Sequence, residues 1–171
     1  ADNATGAGIE KLFRNVVRAA IDSWESAGCI TTLPYCTAAP NSTGQVGICS
    51  ATGGTYLVQN SLVLRASNLP LMSFGYLLVS TSSGFSAGPG GSAGNLCLGG
   101  SIGRYSNFVA STGNTGTLSR SFNANSYPTP TGQPGSVQAG ETLYFQWWHR
   151  DSAPTGGATS NFTRGLRVTF I

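Results

Sequence analysis

The sequence predicts a mainly β domain: an antiparallel sandwich, jelly-roll-like or immunoglobulin-like, stapled by disulfides and preceded by one amphipathic helix. Three observations carry this. Past Cys29 the chain breaks into short apolar or alternating runs separated by Gly, Ser, Asn and Pro, the texture of antiparallel strands and their turns. Glycine contributes 24 of 171 residues and charged residues only 9%, against ordinary shares of about 7% and about 25%, which excludes a long helical or coiled-coil protein. Hydrophobic content of 40%, aromatic content of 10% and a net charge of +3 leave ample material for a core and exclude disorder. A mass of 17.6 kDa suits one domain with an appendage.

The elements follow in chain order. From Gly8 to about Glu25 the apolar residues Ile9, Leu12, Phe13, Val16, Val17, Ala20, Ile21 and Trp24 recur at spacings of three and four, while Lys11, Arg14, Asn15, Arg18, Asp22 and Glu25 fall largely opposite. That is a helix of about five turns, capped by Thr5 and stopped by Gly28, with Pro34 preventing its resumption. Strands are expected at 46–51, 55–58, 61–67, 75–81, 96–98, 102–110, 117–123, 141–150 and 166–170. Turns are expected at Gly53-Gly54, Asn68-Leu69-Pro70, Gly88-Pro89-Gly90-Gly91, Gly113-Asn114 and Pro154-Thr155-Gly156-Gly157. The proline-rich piece 127–135 reads as an extended loop, because its prolines have no N–H for a ladder. The chain thus divides into a helical segment and linker, 1–34, and a β-sandwich module, 35–171.

The chemistry-bearing residues are few. Cys29, Cys36, Cys49 and Cys97 lack a C-x₂-C pair, and His149 is the single histidine, so they read as disulfides rather than a zinc site. Four cysteines allow three connectivities. Only Glu141 and Asp151 are acidic in the β region, and ten residues of strand hold them roughly 30 Å apart, too far for a glycosidase pair. No G-x-S-x-G elbow accompanies His149, and Gly88-Pro89-Gly90-Gly91 lacks a P-loop lysine. The reading is therefore of a non-enzyme with no cofactor and no metal. The basic residues form no run that would grip nucleic acid, and no stretch approaches a membrane span. The opening Ala1-Asp2-Asn3 suits a mature product of signal cleavage or processing.

The densest run is Tyr144-Phe145-Gln146-Trp147-Trp148-His149-Arg150-Asp151. On a strand, Phe145, Trp147 and His149 face one way, with His149 structural, and Tyr144, Gln146, Trp148 and Arg150 face the other. Aromatic rings beside a guanidinium make Tyr144, Trp148 and Arg150 candidate ligand contacts, suited to stacking on sugar rings. Sequons begin at Asn3, Asn41 and Asn161.

Several motifs, in order, resemble a known module. They are Tyr35-Cys36-Thr37-Ala38-Ala39-Pro40-Asn41-Ser42-Thr43-Gly44, then Leu69-Pro70 and Phe74-Gly75, then Asn95-Leu96-Cys97-Leu98-Gly99-Gly100-Ser101-Ile102-Gly103-Arg104. Phe145-Gln146-Trp147-Trp148-His149-Arg150-Asp151, Asn161-Phe162-Thr163 and Val168-Thr169-Phe170 follow. Together they are similar to a C-terminal module of large secreted proteins of planctomycete-type and myxobacterial bacteria, over residues 35–171. The resemblance implies that Cys36 pairs with Cys97, leaving Cys29 for Cys49, and it implies no activity.

The expected function is a secreted structural subunit, extracellular or at the cell surface, that self-associates through its sandwich and helix into a homo-oligomer, filament or surface layer. A surface poor in charge resists little when copies pack together. The assembly face is the stripe Ile9, Leu12, Phe13, Val16, Val17, Ile21 and Trp24, which touches its own sandwich near Cys29 and offers itself to a neighbour. Two alternatives stand beside this: an adhesion or carbohydrate-binding module with a polysaccharide partner, and the processed C-terminal part of a larger secreted enzyme.

Overall fold

The computed structural model describes Asn15 and residues 32–171. The helix expected over residues 8–25, with its assembly stripe and caps, and Cys29 lie outside the described residues. Ten strands follow: β1 (Thr32–Tyr35), β2 (Ile48–Thr52), β3 (Val63–Ser67), β4 (Phe74–Ala87), β5 (Asn95–Arg104), β6 (Ala110–Ser111), β7 (Leu118–Ser121), β8 (Thr142–Ser152), β9 (Ala158–Phe162) and β10 (Gly165–Thr169). They form two antiparallel sheets. The larger has the order β1-β10-β8-β4-β5, with β6 added to β4 and β9 to β8; the smaller is β2-β3-β7.

Alternation on the central strands builds the core. Leu143, Phe145 and Trp147 of β8 point inward, with Val79 opposite Phe145 and Leu77 opposite Trp147 on β4. On the other flank Leu166 and Val168 of β10 pair with Phe145 and Leu143. The small sheet answers with Cys49, Leu64, Ala66 and Leu118. Phe122 fills the space between, edge-on to Phe145 at 5.0 Å and tilted against Phe170 at 5.5 Å. Each large apolar side chain so buried stabilises the fold by roughly 1.5–3 kcal/mol.

Four local readings change. Residues 55–58 are not a strand, although Thr55 and Leu57 exchange backbone hydrogen bonds with Ile171. The expected strands 96–98 and 102–110 are instead one strand, β5, followed by the short 3₁₀ turn Ser106–Phe108 and then β6. Gly99 and Gly100 do not end β5 but let it bend: a Cβ on Gly99 would lie 2.4 Å from the Ser83 carbonyl oxygen, and Gly100 has φ of +57°. Strand β1 forms despite Pro34, because it is an edge strand and pairs only with β10. Strand β9 is not among the expected strands; the turn at Pro154–Gly157 folds it back onto β8.

Cys36 and Cys97 are bridged. Cys49 is a free thiol with 2% exposure, and Cys29, its partner in the implied pairing, lies outside the described residues. On β2 Cys49 takes the inward position and serves as a small apolar core residue.

The hairpin β4–β5 is longer than the sheet it belongs to. Beyond the bulge between Ser80 and Ser82 its distal half lies across the outer face of the large sheet. There the Cys97 N–H donates to Gln146 Oε1, the Ala93 N–H to the Ser160 carbonyl, and Ser92 Oγ to the same carbonyl. Beneath the hairpin Leu78, Leu98 and Phe162 are buried in a second apolar cluster, with Tyr76, Leu96, Ile102, Tyr144 and Trp148 packed against it. The Cys36–Cys97 bridge fastens this flap to the end of β1.

Candidate functional site

The residues with catalytic potential are held in structural bonds. His149 is fully buried on the face of β8 that carries Phe145 and Trp147. Its Nδ1 lies 3.0 Å from the Arg150 carbonyl oxygen and its Nε2 has no partner. Burial lowers its pKa, outweighing that carbonyl and the Asp151 charge, so the ring is neutral. Among the described residues no serine hydroxyl bonds to it. Asp151 accepts from the N–H groups of Ser42 and Ser152 and from Asn161 Nδ2. Burial alone would raise its pKa, but these donors outweigh it and hold the carboxyl below the usual range. Asn161 also donates to the Pro40 carbonyl, so the cluster ties the 40–44 loop to β8 and β9. A cleft of about 560 Å³ opens beside Asp151, yet the carboxylate is already occupied by protein donors. Among the described residues no three of His, Cys, Asp and Glu are grouped to hold a metal ion.

The two sequons that fall among the described residues begin at buried, bonded asparagines. Asn41 Nδ2 donates to the Asn68 carbonyl at 2.6 Å, and Asn161 is fully buried. Neither amide is presented for glycan attachment in the folded domain.

Of the three candidate ligand contacts, the outer face of β8 carries Tyr144 and Trp148 four residues apart, but the flap lies between them. Gln146, fully buried, accepts from Cys97 N–H and donates to the carbonyls of Asn95 and Thr163. Tyr144 meets Tyr35 edge-on at 5.4 Å, close to the disulfide. Trp148 leans on Tyr76 at 4.9 Å and lines a groove of about 280 Å³, closed at one end by Pro89 and Gly90 of the hairpin turn and flanked by Arg104. Arg150 is exposed beyond Trp148, and its carbonyl accepts from Ser73 Oγ. The structure therefore separates Tyr144 from Trp148 rather than joining the three in one platform.

A second pocket, of about 490 Å³, was not legible in the sequence. It lies between the 3₁₀ turn Ser106–Phe108, strand β7 and the proline-rich loop. That loop is closed on itself by a reciprocal pair of backbone hydrogen bonds between Tyr127 and Gly135, where a Cβ would strike the Tyr127 ring at 2.5 Å. Arg120 of β7 stacks its guanidinium 3.7 Å from the Phe108 ring centre and 4.6 Å from that of Tyr105. Burial pushes the Tyr105 phenol up to about 12, with Arg120 pulling the other way. Arg104 and Arg120 are sixteen positions apart on different sheets, so no spacing rule joins them. The one sequence signal was a surplus of six arginines over two carboxylates in residues 32–171.

Comparison with family models, with curated proteins and with solved structures returns no match for this chain.

Proposed function

We propose that the chain is a non-enzymatic structural subunit of an extracellular assembly, built on a jelly-roll-like or immunoglobulin-like sandwich, and that copies join through an apolar patch at one end of the large sheet. The observation that carries this reading is the exposure of Leu71, Met72 and Phe74, at 60%, 66% and 49%. Val109, 52% exposed, comes two residues before Ser111, the partner of Phe74, and the Met72 N–H donates to the Gly113 carbonyl farther along the same segment. Clustered apolar exposure of this kind marks an interaction surface. The chain from 66 to 119 has a single charged residue, Arg104, and across the sheet the exposed Arg150 stands next to Phe74, a charge that favours an acidic partner segment.

The occupant is the N-terminal segment of another copy. Its sequence supplies an apolar stripe, and four of the six acidic residues, Asp2, Glu10, Asp22 and Glu25, precede residue 32, whereas the body carries the arginine surplus. That complementarity favours head-to-tail contacts, which need not close into a ring. The bridge between Cys36 and Cys97 suits an oxidising compartment, and among the described residues no helix is long and apolar enough to cross a membrane. Light scattering coupled to size-exclusion chromatography tests the reading. The parent chain should run as species well above 17.6 kDa, and Leu71→Asp with Met72→Asp should return it to monomer with an unchanged melting temperature. A parent that stays monomeric at every concentration would overturn it.

A further inference from the structure

The pocket between β7 and the proline-rich loop differs from the rest of the surface in charge and in unfinished hydrogen bonding. Two guanidinium groups, of Arg104 and Arg120, line it, together with the amides of Asn107, Asn123 and Gln133 and the ring of Tyr127. Among the described residues no carboxylate lines it. Asp151 is bound to the 40–44 loop, and Glu141, which lies near enough to Tyr127 to raise its pKa along with burial, accepts the Gln138 N–H outside the pocket. Arg120 lies over the ring of Phe108 at 3.7 Å and beside that of Tyr105 at 4.6 Å, and its Nε is buried without an acceptor. A stacked guanidinium keeps its donors in one plane, aimed outward at its edge, which is the geometry that receives a planar carboxylate through two parallel hydrogen bonds.

We infer that this pocket binds a carboxylated saccharide, a uronate unit of an acidic polysaccharide, with Arg120 and Arg104 taking the carboxylate and the amides and the Tyr127 ring taking the hydroxyls and the sugar face. The volume falls in the range of small-ligand sites. Amides suit a ligand rich in hydroxyls, and aromatic faces suit the C–H face of a pyranose ring better than they suit a bare inorganic anion. The lining of the pocket shares no residue with the apolar patch of Leu71, Met72 and Phe74, so binding here is read separately from self-association.

The test is calorimetric titration of the full chain with an oligogalacturonate, with a neutral galactose oligomer of the same length, with free galacturonate and with sodium sulfate. Binding of the oligogalacturonate, at least tenfold tighter than the neutral oligomer and the sulfate, is expected, with free galacturonate competing for the same site. Arg104→Gln, at an exposed position, should weaken it about tenfold without changing the melting temperature. Arg120→Lys keeps the charge and loses the paired donors, and should weaken it further. Equal binding of charged and neutral oligomers, an Arg104→Gln variant that binds like the parent, or sulfate binding as tightly as uronate would each overturn the inference.

Discussion

At the scale of single residues, the central strand holds two polar side chains whose burial is unequal in consequence. Gln146 satisfies one N–H and two carbonyls at once. Gln146→Leu keeps the volume and strands those three groups, each costing about 1–3 kcal/mol when buried without a partner, so urea denaturation should show a loss of about 3 kcal/mol or more. His149 is the reverse case, with a ring nitrogen left unpartnered. Because burial lowers its pKa, the unfolded chain takes up the proton first. Its contribution to stability is whole above the unfolded value of about 6.5 and is lost as pH falls below that value toward the folded one. The melting temperature should therefore drop between pH 7 and pH 5.5, and His149→Gln, which removes the only histidine in the chain, should flatten that slope. A slope that survives the substitution would assign it to another group.

At the scale of elements, the distal half of the β4–β5 hairpin has no ladder partner but itself. This half leaves the sheet after the bulge and is held over β8 and β9 by the Gln146 bonds, the Ser160 carbonyl and the disulfide. The bridge spans a sequence separation of 61, and a loop of that length limits the unfolded chain by about 4 kcal/mol. Replacing both Cys36 and Cys97 with Ser should lower stability by up to about that amount. Hydrogen exchange should then speed up first in 82–98 and in β1, ahead of β2, β3 and β7. Uniform acceleration in both sheets would mean that the flap is not a separate unit. The strand alternation of β8 and β10 was legible beforehand, because each presents one apolar face at a period of two. The continuity of β5 was not, since Gly99 and Gly100 fall in the gap between the expected strands 96–98 and 102–110 and act as a bend only where Ser83 and Gly84 come close across the ladder.

At the scale of the whole molecule, Cys49 reports on the union of the two sheets. It sits on β2 in the core they share, 2% exposed, and burial raises its thiol pKa far above the ordinary value, so reaction needs the sheets to part. In a Cys29→Ser background a thiol reagent should leave native protein unmodified, and labelling should rise with urea in step with the loss of sheet signal. Rapid labelling of the native fold would place Cys49 outside that core.

What the sequence determined by itself was the class of fold and its periodic parts. Glycine-rich punctuation, scarcity of charge and alternating runs imply two-sided strands, because these are local properties that each strand needs wherever it ends up. The pairing of Cys36 with Cys97 is implied by a likeness of motifs and not by spacing, since whether a cysteine faces a partner or a core depends on its neighbours across the sheets. Only the tertiary structure decided that the flap covers Gln146, that Asn41 and Asn161 are buried donors, and that Arg104 and Arg120 share one pocket. Each of these rests on residues brought together from different strands and loops, and a linear pattern carries no information on distance between elements that are not neighbours in the chain.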